Sequence, residues 1–220
     1  MHLKWLPVAV LSLAVSTVVL AAPAGAESAS QALQQMDDAQ RAVLAEEGRK
    51  AAFFCANCHG ERGVSRYGEV PNLAGQNPAY ILSQIEAFLT GTRRDDFMQG
   101  LMKVLSERDK LSIALYYASS PPPQMKADAG AGAGLYEKHC ALCHQPDAGG
   151  AETFPRLAGQ QAEYLRISLR RYLTQSGERF SAPMTAAVTQ LGEKNINAMV
   201  NYLAGAHAAP SGGSAAANGR

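Results

Sequence analysis

"CANCH" spans Cys55 to His59, and the pattern returns 85 residues later as "CALCH" from Cys140 to His144. The two copies use all four cysteines of a chain of 220 residues. In each copy two residues separate the thiols, and a histidine directly follows the second thiol. This repeated pattern predicts both the chemistry of the chain and the number of its folded units.

The spacing of the cysteines is compatible with three kinds of chemistry. Four cysteines can form two disulfides, and two Cys-x-x-Cys pairs can hold one zinc ion with four thiolates. Neither alternative needs a histidine after each pair. Cys-x-x-Cys-His is the attachment pattern of c-type haem, in which the thiols bind covalently and the histidine binds iron. We therefore predict two covalent haem c groups. The predicted attachment residues are Cys55, Cys58, Cys140 and Cys143, and the predicted axial histidines are His59 and His144.

The first 26 residues have the features of a secretory signal peptide. Lys4 precedes the uncharged run "WLPVAVLSLAVSTVVLAA" (Trp5 to Ala22), and "AGA" (Ala24 to Ala26) has the pattern of a cleavage site. An uncleaved membrane anchor is the alternative, since the 18 uncharged residues just reach spanning length. We expect cleavage after Ala26 and a mature periplasmic protein that begins near Glu27.

The overall charge excludes one class of partner. The chain has 20 Lys and Arg and 19 Asp and Glu residues, which gives a formal net charge of +1. Such a chain has no global field to hold phosphates, so nucleic acid is not expected as a partner. Hydrophobic residues make up 47% of the chain, which is typical of folded globular proteins.

A second repeated segment extends the correspondence between the halves. "PNLAGQNPAYILSQIEAFL" (Pro71 to Leu89) aligns without gaps with "PRLAGQQAEYLRISLRRYL" (Pro155 to Leu173), with seven identical positions. The prolines follow His59 and His144 by 12 and 11 residues. This pattern indicates a tandem duplication with one haem in each half.

Composition marks the boundaries between the predicted units. "SSPPPQMKADAGAGAG" (Ser119 to Gly134) opens with three prolines and closes with alternating Ala and Gly, a composition that neither packs a core nor sustains a strand. We predict one domain at residues 27–119, a linker at 120–130 and a second domain at 131–207. Residues 208–220 are expected to form a disordered tail.

Both domains are predicted to be all-α. Apolar side chains recur at helical spacing after Asn77 and Pro78, a cap followed by proline at the first helical position, and again from Tyr164 onwards. The sequence contains no convincing alternating strand pattern. Further helices are predicted at residues 39–54, 107–118, 134–139 and 193–204.

A haem that carries electrons needs a sixth iron ligand, and each half offers methionine. Met184 is the single methionine between the P-x-L-A-G-Q segment and the last predicted helix of the second half, whereas the first half has Met98 and Met102. Leu105 aligns with Leu191 in the repeat. Met98 lies eight residues before Ser106, which follows Leu105, and Met184 lies eight residues before Gly192, which follows Leu191. We therefore predict Met98 and Met184 as axial ligands. Met102, Met125 and Met199 are assigned to the core.

Together these motifs resemble the di-haem cytochrome c4 family. The resemblance rests on paired Cys-x-x-Cys-His halves, each followed by P-x-L-A-G-Q, a tyrosine-bearing helix, a methionine and a last helix ending in "YYAS" or "NYLAG". It covers about residues 47–205. It implies two tandem cytochrome c-type helical domains with one covalent haem each, in a periplasmic electron carrier of the kind that often feeds terminal oxidases.

The resemblance also implies how the histidines are oriented. The carbonyl oxygens of Pro71 and Pro155 should accept the Nδ1 proton of His59 and His144, which presents the other ring nitrogen to iron. Three arginines are candidates to pair with the haem propionates, because guanidinium holds carboxylate bidentately. They are Arg66, Arg93 and Arg156.

Three classes of function fit two such haems. An electron carrier needs both irons six-coordinate, a di-haem peroxidase-like enzyme needs one open iron position, and a cytochrome subunit connects a periplasmic dehydrogenase to its acceptor. Each haem has an available methionine and no acid–base constellation recurs beside the motifs, so an electron carrier is favoured over an enzyme.

The expected partners are redox proteins. A quinol-oxidising complex or a dehydrogenase is expected as donor and a terminal oxidase as acceptor, without a small-molecule substrate, and association with a membrane surface stays open. Residues 27–120 hold 12 acidic and 10 basic side chains, and residues 121–220 hold 7 and 9. We hypothesise that the halves face different partners, or opposite ends of one transfer path, and that the haems lie close together across the interface between the domains.

Overall fold

The computed structural model describes residues 28–123 and 130–205 of the chain. The predicted signal peptide, the predicted tail and Met125 lie outside the described residues. The boundaries of the domains and of the linker stay predictions.

The prediction of an all-α fold is confirmed. The described residues form helices, turns and two isolated β-bridges, and they include no strand. None of their helices has the length and apolar character needed to cross a membrane. The helices of the first half are α1 (Ala29–Gln35), α2 (Asp38–Ala51), α3 (Ala56–His59), α4 (Pro78–Thr90), α5 (Asp96–Val104) and α6 (Glu107–Ser119). Those of the second half are α7 (Ala131–His139), α8 (Ala141–His144), α9 (Ala162–Thr174), α10 (Ala182–Leu191) and α11 (Ile196–Ala204), the last preceded by a 3₁₀ turn at Glu193–Asn195.

Local capping chemistry sets the starts of the longer helices. The hydroxyl of Ser106 accepts from the Asp109 N–H, and the Asp109 carboxylate accepts from the Ser106 N–H, which forms a capping box at α6. Asp37 and Gln40 form the same arrangement at α2. α4 begins with proline at its first position, as predicted from the sequence.

In each half the helix that leads into the motif crosses the last helix at a glycine. A Cβ built at Gly48 of α2 would lie 2.0 Å from the carbonyl oxygen of Ser112 in α6. A Cβ built at Gly132 of α7 would lie 2.4 Å from the carbonyl oxygen of Ala198 in α11. The backbones therefore approach too closely for any other residue at these two positions. Each crossing contributes to a separate hydrophobic core.

Five helices lie where the sequence patterns do not predict any. They are α1, α3, α5, α8 and α10, each only four to ten residues long, and helices so short give weak periodic signals. α5 and α10 nevertheless matter for function, because they carry Met98 and Met184.

The first residues of the predicted linker pack against both halves. A Cβ built at Gly75 would lie 2.6 Å from the Cβ of Pro122, and one built at Gly159 would lie 2.5 Å from the carbonyl oxygen of Pro123. Both glycines have positive φ, +64° and +72°, which glycine adopts without strain. The two prolines therefore pack between the halves, a position that the composition of the linker does not predict.

The residue after each motif histidine adopts a backbone conformation that favours glycine. Gly60 has φ 81° and ψ 150°, and its counterpart Gln145 has φ 66° and ψ 155°. A residue with a side chain is strained there by about 1–3 kcal/mol. The hydroxyl of Tyr136 donates to the Gln145 carbonyl oxygen at 2.6 Å and so helps to hold this conformation.

Replacing Gln145 by glycine should raise the free energy of unfolding by about 1 kcal/mol, because the strain relieved exceeds the entropy that glycine adds to the unfolded chain. Urea denaturation followed by circular dichroism measures the change. Gly60→Ala is the matched control and should destabilise the protein, since its Cβ would lie 2.1 Å from the carbonyl oxygen of Val64. A Gln145→Gly variant no more stable than the parent would contradict the strain.

Candidate haem sites

Two short helices carry the attachment motifs. α3 follows Cys55 and ends at His59, and α8 follows Cys140 and ends at His144. All four cysteines are free and half-buried, so the structure does not support two disulfides. Within residues 28–123 and 130–205 no group of three or more His, Cys, Asp or Glu side chains is placed to hold a metal ion, which disfavours a four-thiolate zinc site.

Each motif histidine is buried and bonded to the proline that the family resemblance implies. Nδ1 of His59 lies 2.9 Å from the carbonyl oxygen of Pro71, and Nδ1 of His144 lies 3.0 Å from that of Pro155. These contacts confirm that the carbonyl oxygens of Pro71 and Pro155 are the partners of the two motif histidines. A proton on Nδ1 donates to the carbonyl and leaves Nε2 free as a ligand. Burial lowers the pKa of both histidines although the carbonyl bond opposes it, and the neutral ring is the form that binds metal.

One cavity of about 880 Å³ extends over both motifs. His59, His144 and all four cysteines line it. The rest of its wall is largely apolar and comes from α4, α5 and α6 in the first half and from α9, α10 and α11 in the second. The two motifs therefore open into one continuous space rather than into separate pockets.

α5 and α10 present Met98 and Met184 at equivalent positions. Each methionine is the third residue of its helix, is half-buried and lines the cavity. The capping residues that precede the helices have nearly the same backbone angles, φ −167° and ψ 112° at Asp95 and φ −162° and ψ 108° at Ser181. The geometry of α5 and α10 therefore pairs Met98 with Met184.

The methionines assigned to the core are buried where the structure describes them. Met102 lies one turn after Met98 on α5 and is 4% exposed, and its counterpart Val188 is 2% exposed. Met199 on α11 is 0% exposed. Met102 and Met199 also reach the cavity wall, as core side chains of a haem pocket do.

Two arginines and two tyrosines meet where the halves touch. Arg179 donates to the hydroxyls of Tyr80 at 2.6 Å and Tyr164 at 3.0 Å, and Arg93 donates to Tyr164 at 3.2 Å. All four side chains line the cavity. Among the residues that the structure describes, neither guanidinium pairs with a carboxylate.

The pKa of Tyr164 reflects the positive field of this cluster. Burial opposes its ionisation, yet the charges of Arg179 and Arg93 lower the pKa to about 7. The same charges would stabilise a carboxylate placed in this part of the cavity.

Two of the three arginines named as candidates to pair with the haem propionates lie on the cavity wall. Arg93 and Arg156 line the cavity, whereas Arg66 is exposed and donates to the hydroxyl of Tyr67 at 2.8 Å. Sequence reasoning missed Arg179. The repeat contained the signal, because Arg179 precedes its methionine by five residues, as Arg93 does.

Comparison with known proteins gives relatives along most of the chain. Residues 129–206 match the family model described as cytochrome c. The chain is 32% identical over 173 residues to cytochrome c4 of Thiocapsa roseopersicina, covering 71% of this chain and 88% of the relative. It is 30% identical over 190 residues to the thiosulfate dehydrogenase electron acceptor of Stutzerimonas stutzeri, covering 77% and 87%. The solved structure of reduced recombinant cytochrome c4 from Pseudomonas stutzeri matches with a TM-score of 0.65 and 28% identity, over 73% of this chain and 97% of that one.

The chain belongs to the cytochrome c4 family. It is therefore an electron-transfer protein with two covalently bound haem c groups, one for each Cys-x-x-Cys-His motif.

The cavity fits two haem groups. Its apolar wall suits the porphyrins, and its arginines suit the propionates. In the described part of the chain two buried polar atoms lack a hydrogen-bond partner, the Tyr117 hydroxyl and Nε of Arg156, and both residues line the cavity. Unpaired buried donors are costly, so the cavity requires an occupant that carries acceptors, as haem does.

A reciprocal pair of glutamines joins the two halves of the chain. The Gln76 side chain accepts from the Arg156 N–H at 2.7 Å and donates to the Arg156 carbonyl at 3.0 Å. The Gln160 side chain accepts from the Asn72 N–H at 2.7 Å and donates to the Asn72 carbonyl at 2.9 Å. The positions are equivalent in the repeat, so the interface has approximate two-fold symmetry.

Replacing Gln160 by alanine should lower the free energy of unfolding by about 2–4 kcal/mol, because the buried N–H and C=O groups of Asn72 would both lose their partner. Urea denaturation of the haem-loaded protein measures the loss. Gln190→Ala is the matched control, since Gln190 is exposed on α10 and its replacement should change stability by less than about 0.5 kcal/mol. Equal stabilities of the two variants would show that the reciprocal bonds contribute little to the free energy of unfolding.

Proposed function

We propose that this chain carries single electrons between redox proteins in the periplasm. When bound, haem iron supplies a one-electron couple between its ferric and ferrous states. The observation that carries the proposal is the placement of a histidine and a methionine on the cavity wall in each half. A histidine and a methionine that both bound the same iron would leave no position for a substrate, so we infer that the chain has no enzymatic activity of its own.

The axial ligands we propose are His59 with Met98 and His144 with Met184. The attachment residues we propose are Cys55, Cys58, Cys140 and Cys143. The equivalent positions of the two methionines in α5 and α10 support this assignment. A thioether ligand favours ferrous iron and raises the reduction potential, which suits a carrier near the oxidising end of a respiratory chain.

We propose that the arginines on the cavity wall hold the haem propionates near the interface. Arg93 and Arg179 have no carboxylate partner within the described residues, and each contacts a tyrosine of the repeat. Because the cavity is continuous between the halves, both porphyrin edges can approach this cluster. Such an arrangement would let an electron enter through one half and leave through the other.

The proposed donor is a periplasmic dehydrogenase or a quinol-oxidising complex, and the proposed acceptor is a terminal oxidase. The relative from Stutzerimonas stutzeri is named as the electron acceptor of a thiosulfate dehydrogenase, which supports a dehydrogenase as donor. The alternative is that the chain works as the cytochrome subunit of such a dehydrogenase. The signal-like segment at residues 1–26 supports export in either case.

Replacing Met98 by alanine should abolish the thioether-to-iron charge-transfer band of the first haem and lower its reduction potential, because the sixth iron ligand is lost. Absorption spectra and an optical redox titration measure both effects. Met102→Ala is the matched control one turn along the same helix. It should lower the free energy of unfolding by about 2–5 kcal/mol and leave the band unchanged. Loss of the band in the Met102 variant instead would place the ligand one helical turn later.

The uneven charge of the halves should be visible in reaction rates. Residues 27–120 carry 12 acidic and 10 basic side chains, against 7 and 9 in residues 121–220. Ferricyanide, an anionic oxidant, should therefore oxidise the second haem faster than the first at low salt, and a cationic cobalt complex should show the opposite preference. Stopped-flow measurements at increasing salt should remove both preferences. Rates independent of ionic strength would rule out steering by these charges.

A further inference from the structure

The two halves differ at one buried side chain that lines the cavity. Tyr117 of α6 and Leu203 of α11 occupy equivalent places, because their carbonyl oxygens accept from the N–H groups of Gly75 and Gly159, each at 2.9 Å. Both side chains line the cavity, and their exposed fractions are 0% and 2%. The first half therefore has a phenol hydroxyl where the second half has methyl groups.

The Tyr117 hydroxyl lacks a partner within the described residues, and its ring is held in place. A Cβ built at Gly63 would lie 2.8 Å from Cδ1 of Tyr117, so the backbone packs closely on the ring. The neighbouring Tyr116 differs, because its hydroxyl donates to the carbonyl oxygen of Glu61 at 2.6 Å. Burying a hydroxyl without an acceptor is unfavourable, and because Tyr117 lines the cavity, the occupant of the cavity is the nearest source of an acceptor.

Tyr117 acts in this place as a hydrogen-bond donor. Burial raises the pKa of its hydroxyl, so the proton is retained. Haem c offers two kinds of acceptor, the propionate oxygens and the thioether sulfurs formed at the cysteines. Both kinds belong to the same molecule, and a bond to either one acts on the same iron.

We propose that the Tyr117 hydroxyl donates a hydrogen bond to an acceptor of the first haem and thereby raises the reduction potential of that haem. The proposal rests on the electron-carrier function proposed above. The reduced form carries one more negative charge than the oxidised form, so the positive end of the O–H dipole stabilises it. Leu203 supplies no such dipole to the second haem. The substitution of one residue within the repeat thus makes the two haems unequal.

Tyr117→Phe tests the proposal, because it removes the hydroxyl and keeps the ring. In an optical redox titration of the full chain with both haems, the ratio of reduced to oxidised first haem at a fixed potential should fall about three- to tenfold, as for the loss of one hydrogen bond. That change corresponds to roughly 30–60 mV for a one-electron couple. The same replacement in a Met184→Ala background, where the second haem titrates at lower potential, assigns the shift to the first haem.

Tyr116→Phe is the matched control and should leave both potentials unchanged, because its hydroxyl bonds to the Glu61 carbonyl and does not line the cavity. Resonance Raman spectra identify the acceptor. A shifted propionate-bending band in Tyr117→Phe indicates a propionate, and a shifted C–S stretching band indicates a thioether.

Two results would overturn the role of Tyr117: an unchanged or raised potential of the first haem, or a lowered potential with neither Raman band shifted. The second result would assign the hydroxyl to a trapped water. A parent protein without thioether charge-transfer bands would instead contradict the proposed ligands and the carrier function, so the two failures can be told apart.

Discussion

The bond between each motif histidine and the carbonyl of the following P-x-L-A-G-Q proline is the constraint on which the rest of the structure depends. In the first half it ties α3 to Pro71 at 2.9 Å. The chain then turns at Gly75, whose N–H donates to the last helix of the same half, and places Gln76 on the other half. The second half repeats these steps. One hydrogen bond thus orients the iron ligand, anchors the segment to its own core and begins the interface between the halves.

The symmetry of this arrangement is approximate, and its exceptions lie at the cavity. Asn72 is satisfied, since its amide donates to the carbonyl oxygen of Gly159 at 3.0 Å, whereas its counterpart Arg156 leaves Nε unpaired. The hydroxyl of Tyr117 is likewise unpaired, and its counterpart Leu203 has no hydroxyl. Each half therefore offers its occupant a different donor. Duplication supplied two similar sites, and a few substitutions at the cavity wall are enough to differentiate them.

The interface is more than a junction between two folded halves. It includes Arg93 and Arg179, whose charges lower the pKa of Tyr164, and Pro122 and Pro123, which pack against Gly75 and Gly159. The guanidinium groups of Arg93 and Arg179 have no carboxylate partner among the described residues, which is unfavourable unless an anion compensates their charge. Folding of the two halves against each other and binding of the two haems are thus expected to stabilise each other.

The sequence by itself determined the chemistry of this protein: two Cys-x-x-Cys-His motifs, the paired segments and helical periodicity were enough to predict covalent haem, duplication and an all-α fold. These signals are local, because covalent attachment and helix formation depend on residues a few positions apart. The tertiary structure alone showed that α5 and α10 exist, that Arg179 joins Arg93, that two linker prolines pack between the halves and that the Tyr117 hydroxyl lacks a partner. α5 and α10 are too short to give a strong periodic signal, and the other three features depend on contacts between residues distant in the chain, which periodicity does not report.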